Sequence, residues 1–255
     1  MSSRRSRHNR SPRTASYTPE KPSNRATYIL AILAVILATA GVIGMILWLQ
    51  RTSTPVDEGY GPVRDAAVAI TEDGSVRLGD PAAPVQLQLF EDYMCPGCRD
   101  FAHLYGDHIA RHIDDGNVTI EYRPLNFLDT VSSDGTYSTR AAAAATCVAQ
   151  HSTAAAYSAY HAALYDNRPE NGSTLTDDEL AQLARDNGAD PATIDCITSG
   201  EHLDTIRGNV DTNRQAMIDA GGEGTPTVVH DDTTIDFLNR HWLDNLVADA
   251  EAAAE

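Results

Sequence analysis

Between Tyr28 and Leu49 the chain carries 22 consecutive uncharged residues, YILAILAVILATAGVIGMILWL, and this run separates a short N-terminal arm from the bulk of the chain. About 20 apolar residues suffice to cross the hydrocarbon core of a bilayer. Trp48 stands near one end, where an amphipathic ring favours the interface. Residues 1–27 carry seven cations against the single anion Glu20. By the positive-inside rule this arm stays in the cytoplasm and the rest of the chain is exported. A cleaved signal peptide is the alternative, but its apolar region runs to about 7–15 residues before a small-residue cleavage site. The only such site, Ala38-Thr39-Ala40, lies inside the run. The expectation is therefore a single-pass, uncleaved anchor over 28–49 in the cell membrane, with the bulk of the chain extracytoplasmic.

Past residue 51 there remain 11 cations against 35 anions, a net charge of -24. Such a balance argues against nucleic acid and against an anionic membrane surface as partners. Residues 50–75 carry scattered Pro, Gly and acids with little period, and read as a tether. The exported domain is then 76–253, ample for a core of its own.

Val85–Phe90 alternates apolar and polar residues and reads as a strand. A helix follows, with Phe101, Leu104, Tyr105, His108, Ile109 and Ile113 at spacings of three and four. After the turn signal Asp114-Asp115-Gly116-Asn117 comes a second strand, Val118–Tyr122. From about 139 to 221 the composition is helical, with a capping signature at Thr176 and Glu179 and a Pro191 start. Strands return at Thr227–His230 and Thr233–Phe237, and a helix from Arg240 to about Ala253 closes the chain. A strand-rich scaffold is thus interrupted by a helical block.

Cys95-Pro96-Gly97-Cys98 falls at the junction between the first strand and its helix. A cysteine at a first helical turn meets unpaired N–H groups and the positive end of the helix dipole, which stabilise a thiolate. Pro96 suits the turn because its missing N–H would have no partner there. A Cys-x-x-Cys is also half of many zinc sites, but Cys147 and Cys196 are single and far apart and form no second knuckle. His108 and His112, at i and i+4, read as a solvated face near a helix C-terminus rather than as metal ligands. Tyr93 and Phe101 read as packing around the pair.

FEDYMCPGC (Phe90–Cys98), GTPT (Gly224–Thr227) and the intervening helical block together resemble the DsbA-type thiol:disulfide oxidoreductases of the thioredoxin superfamily, in particular membrane-anchored forms of Gram-positive bacteria. The resemblance implies an α/β thioredoxin-like fold with an inserted α-helical domain, preceded by one transmembrane helix. It gives Cys95 the role of nucleophile and Cys98 that of resolving thiol, with Pro96 and Gly97 between them. Pro226 becomes a cis loop proline facing them, with Thr225 turned towards Cys95. An extended substrate segment pairs with that backbone as an added strand. The implied activity is oxidation of reduced, unfolded exported proteins, without cofactor or metal. Reoxidation falls to a quinone-linked membrane partner of the DsbB or vitamin K epoxide reductase-like kind. A reductase or isomerase using the same site, and a non-catalytic adaptor of a membrane complex, are the competing readings.

Two positions depart from the family pattern. The dipeptide between the cysteines lacks the histidine many DsbA-type oxidases carry there. Leu89 stands where several relatives have a buried carboxylate, leaving Glu91 or Asp92 as proton relay, with nothing in the sequence to select between them. In an oxidising compartment, once Cys95 and Cys98 pair, Cys147 and Cys196 are left as partners for a structural disulfide, and some family members carry a second disulfide in this block. The alternative is two small, buried free thiols.

Overall fold

The computed structural model describes residues 25–53, 55–71 and 74–254. Most of the basic arm, residues 1–24, lies outside the described residues. The chain divides into two compact units, Met1–Arg51 and Thr52–Glu255. In the first, α1 (Arg25–Ser53) contains the whole uncharged run. Ile29, Leu37 and Met45 along it are exposed. Its described side chains are those of 29, 30 and 32–45; over the described residues no helix is long and apolar enough to cross a membrane.

The second unit is built on six strands: β1 (Val68–Ile70), β2 (Val76–Leu78), β3 (Val85–Glu91), β4 (Val118–Pro124), β5 (Thr227–His230) and β6 (Thr233–Thr234). They lie in the order β1-β2-β4-β3-β5-β6. Among the described strands only β3 and β4 pair in parallel, joined by α2 (Pro96–Asp114) as their crossover. Parallel neighbours need such a connection, and a central strand covered on both faces is apolar on both. Accordingly Val85, Leu87 and Leu89 enter the main core, while Phe90, of opposite parity, packs with Leu125, Met217 and Val229 in a smaller cluster. The β3–β5 register sets Phe90 opposite Thr227. That pairing brings together the two segments that form the site.

Between β4 and β5 come a 3-10 turn (Asp129–Val131) and five helices: α3 (Tyr137–His151), α4 (Ala154–Asp166), α5 (Asp177–Asp186), α6 (Pro191–Ser199) and α7 (Leu203–Asp219). Ala141–Ala145 of α3 are all buried. Short side chains here let neighbouring helices approach α3 closely, and alanine is the best helix former. Tyr157, Tyr160, Leu164 and Leu180 fill the space around it with no more than 1% exposure. The α5 start is a capping box: Thr176 Oγ1 accepts from Glu179 N (3.2 Å), and Glu179 accepts from Thr176 N (2.7 Å). Such a cap is worth about 1 kcal/mol. Cys147 of α3 and Cys196 of α6 are joined in a disulfide, with Cα atoms 5.7 Å apart. The chain closes with α8 (Trp242–Ala254).

Two sequence readings need correction. The stretch read as a tether, 50–75, is not free over its described residues 55–71 and 74–75. Val63 is buried, and β1 and β2 form a paired hairpin within this stretch and just beyond it. The docking runs through backbone N–H groups donated to acceptors on distant helices. Gly59 N meets Asp107 (2.7 Å), Arg64 N meets Asp114 (3.0 Å) and Val63 N meets Ser158 (3.1 Å). Contacts of that kind leave no period in the sequence. At the other end, the strand expected over Thr233–Phe237 is in register with β5 at Thr233 and Thr234, and a last backbone bond runs from Ile235 N to the Val228 carbonyl (2.9 Å). Phe237 leaves the sheet to stack edge-on against Phe101, and its carbonyl accepts from Tyr105 Oη (2.5 Å).

Candidate active site

Cys95 is the N-cap of α2, in extended conformation, with Pro96 as the first helical residue. Its backbone N–H donates to the Asp92 carbonyl (2.8 Å), which fixes the turn out of β3. Across from it stands the Thr225-Pro226 bond, in cis. The Cys95 thiol donates to the Thr225 carbonyl (3.4 Å). Both cysteines are free thiols and buried, Cys95 at 9% exposure and Cys98 at 2%. The structure thus brings together Cys95, Pro96, Gly97, Cys98, Thr225 and Pro226.

The two thiols are driven apart electrostatically. The hydrogen bond from Cys98 is the largest influence holding Cys95 down, to about 5, and it outweighs burial. The Thr225 side chain and the N–H groups of Cys98 and Gly97 add to it. Cys98 is pushed far up by burial and by donating to Cys95. Cys95 is therefore the thiol that ionises first, and Cys98 is the one that keeps its proton. Cys95 reaches this state without a histidine in the dipeptide. Gly97 occupies that place closely: a Cβ there would come 3.2 Å from Pro226 Cδ and 3.7 Å from Cys95 Sγ.

Both acids beneath the pair are buried, in different company. Glu91 lies 2.8 and 3.1 Å from His161 Nε2 through its two oxygens and accepts from Tyr165 Oη (2.9 Å). Asp92 accepts from Ser138 Oγ (2.6 Å), Met94 N (2.8 Å) and Leu128 N (2.9 Å). Burial nevertheless raises Asp92 to about 6, against those three bonds and with help from the charge on Cys95. The charge on Glu91 contributes to the rise at Cys98. His161, Tyr165 and Ser138 were not singled out by sequence reasoning. They come from the helical block, and no local spacing ties them to residues 91 and 92.

Tyr93 packs on Tyr165 and His161 beside the acids. Phe101 packs on Tyr105, Phe237 and Trp242. Beside Gly97 and Pro226 lies an open groove of about 390 Å³, walled by Phe101, Leu104, Tyr105, Phe237 and Leu238. Leu238 stands 84% exposed at its rim. The reading of His108 and His112 as a solvated face is overturned: both are buried, because α8 and residues near Asp57 cover that side of α2.

A strand delivering Cys-x-x-Cys to a helix start, opposite a cis-proline loop, is matched by a family model. The model described as Thioredoxin (Thioredoxin_4) covers residues 71–247. The chain belongs to this thioredoxin family. Its folded unit is similar to MdbA, a thiol-disulfide oxidoreductase from Corynebacterium diphtheriae, at 23% identity and TM-score 0.62, over 72% of this chain and 95% of that one. DsbA from Mycobacterium tuberculosis matches at 26% identity and TM-score 0.56, over 69% and 98%. Both likenesses place the thioredoxin unit, with its helical block, in the DsbA-type fold. Among curated proteins, the serine/threonine-protein kinase PknE of M. tuberculosis is 33% identical over 201 residues, 77% of this chain. The chain spans only 35% of that kinase's length.

Proposed function

We propose that this thioredoxin-family chain is a thiol:disulfide oxidoreductase that works as a dithiol oxidase for exported proteins. The observation that carries this reading is Cys95: an acidified thiol at a helix N-cap, facing the Thr225 carbonyl beside Pro226. In the oxidised enzyme a substrate thiolate attacks Cys95 Sγ, the Cys95–Cys98 bond breaks, and Cys98 takes both bonding electrons and then a proton. A second substrate thiolate attacks the substrate sulfur of the mixed disulfide, and Cys95 leaves as thiolate. A low leaving-group pKa speeds that second step and favours the reduced, spent enzyme. Cys98, whose pKa lies far up, needs a proton as it leaves. Asp92, at about 6, is in the working range of a carrier.

The groove beside Gly97 and Pro226 suits apolar segments of unfolded chains, which would pair as an added strand with the backbone at Thr225. The uncharged run and the basic arm before it support a cell-membrane anchor with the catalytic unit outside, near a quinone-linked reoxidant. The missing histidine is the feature that favours the reverse, reductase direction. The two are separated by presenting the full chain, oxidised, to a reduced and unfolded test protein. Appearance of disulfides in the wild type, lost in Cys95→Ser, supports the oxidase. Efficient reduction of a disulfide-bonded test protein with no net oxidation would reverse the direction.

A further inference from the structure

Towards the C-terminal end of α2, one turn apart, stand His108 and His112, which share a face because they are four residues apart. Both are more than nine-tenths buried, yet His108 Nε2, which faces Asp244, has no hydrogen-bond partner. A buried, unpartnered imidazole nitrogen is costly unless something uses it. Both Nε2 atoms point at a single oxygen of Asp244, at the start of α8: His108 at 3.3 Å and His112 at 3.4 Å. Those distances are long for charge-assisted hydrogen bonds, which run to about 2.7–2.9 Å. They are what a metal requires, since ligands about 2.0–2.1 Å from a tetrahedral zinc ion stand about 3.3 Å from one another. All three ligand atoms lie within 4.8 Å of one another.

The surroundings complete the pattern. Asp57 holds His108 Nδ1 in a short hydrogen bond and is itself gripped by Arg111 Nη1 (3.0 Å). A carboxylate on one imidazole nitrogen fixes the proton there and leaves the lone pair on the other nitrogen free to coordinate. His241 Nδ1 stands 3.7 Å from the other Asp244 oxygen, exposed, on the solvent side.

We propose that His108, His112 and Asp244 form a zinc site, with Asp57 as the residue that orients His108 and a fourth position open to water or His241. Nitrogen and carboxylate ligands in this number suit zinc among the divalent ions, and calcium or magnesium would want oxygen throughout. The ion would clamp α2 to α8 and, through Asp57, to the segment that leads into the domain. It lies about ten residues along α2 from Cys98, about 15 Å of helix, and is separate from the thiol pair.

The full chain, stripped with a chelator and with Cys95–Cys98 kept oxidised so that thiolates do not compete, is dialysed against zinc alone and its metal content measured. One zinc per chain is expected. Asp244→Asn and His112→Asn should each weaken binding at least tenfold, and Asp57→Asn about ten- to a hundredfold. Cobalt(II) in place of zinc should give tetrahedral visible bands without a sulfur charge-transfer band. Asp244 lies in the first turn of α8 and is partly exposed, so its variant keeps the test open should the histidine variants not fold. No retained zinc in the wild type, or undiminished zinc in both Asp244→Asn and His112→Asn, would overturn the proposal. So would a cobalt spectrum dominated by sulfur.

Discussion

The chain holds two pairs of cysteines in opposite circumstances. Cys95 and Cys98 lie two residues apart at a helix start, as free thiols, beside an open groove. Cys147 and Cys196 lie 49 positions apart, joined, inside the helical block. The first pair is surrounded by groups that favour a thiolate on one sulfur. The second lies between α3 and α6, among Ala143, Ala144 and Ile197, with His202 beside it. The lesson is that the reactivity of a disulfide is set by what its sulfurs meet when the bond is open. At Cys95 the open form is stabilised by hydrogen bonds. Cys147 and Cys196 each lie inside a helix rather than at its start, and opening their bond releases a long loop.

The sharpest way to break this contrast is to exchange the roles by mutation. Cys95→Ser should abolish thiol exchange, and Cys98→Ser given a disulfide-bonded substrate should trap mixed disulfides. Cys147→Ser with Cys196→Ser should leave exchange at Cys95 intact at low temperature. Exchange assays on the three variants decide it, and full activity in Cys95→Ser would contradict the assignment. In stability the order inverts. Losing the 147–196 link should cost about 4 kcal/mol by loop closure, less any compensation in the unfolded chain. Denaturant unfolding with Cys95 and Cys98 kept reduced in both proteins measures that difference.

A smaller effect lies in pH. Cys95 has a folded pKa held well below that of the unfolded thiol. Its thiolate therefore stabilises the reduced fold above the unfolded value, near 8.5. That contribution is lost as pH falls towards about 5. The oxidised fold lacks it. The stability of the reduced relative to the oxidised domain should thus shrink between pH 8 and pH 5, and a gap that widens over that range would contradict the assigned acidity. Smallest of all should be Gly97→His. An imidazolium beside the thiolate lowers the Cys95 pKa further, but the new Cβ presses on Pro226. Thiolate absorbance should titrate at lower pH than in the wild type, with slower exchange on peptide substrates.

The central β3-α2-β4 unit was legible because its apolar periods are regular and the cysteines mark the junction. The Thr176 cap was legible because its chemistry is local. Three-residue β1 and two-residue β6 carry too few residues to show a period, and the docking of Gly59 and Arg64 depends on carboxylates about 50 positions away. At the site, Cys95, Cys98, Thr225 and Pro226 were legible from two motifs. The partners of the acids were not, since Glu91 meets His161 and Tyr165, and Asp92 meets Ser138, only after the helical block folds onto the sheet. His108 and His112 misled for the same reason: their helix face is covered by elements distant in sequence.

The most direct test is a redox titration of the folded chain, with thiols alkylated at each point and the two pairs resolved by peptide mass spectrometry. If Cys95–Cys98 is the exchanging pair and an oxidant, it should open first, at a potential nearer -120 mV than -270 mV, the values of DsbA and thioredoxin. Cys147–Cys196 should persist to below about -300 mV, as structural disulfides do. Opening of both pairs together, or of 147–196 first, would contradict the division of roles between them.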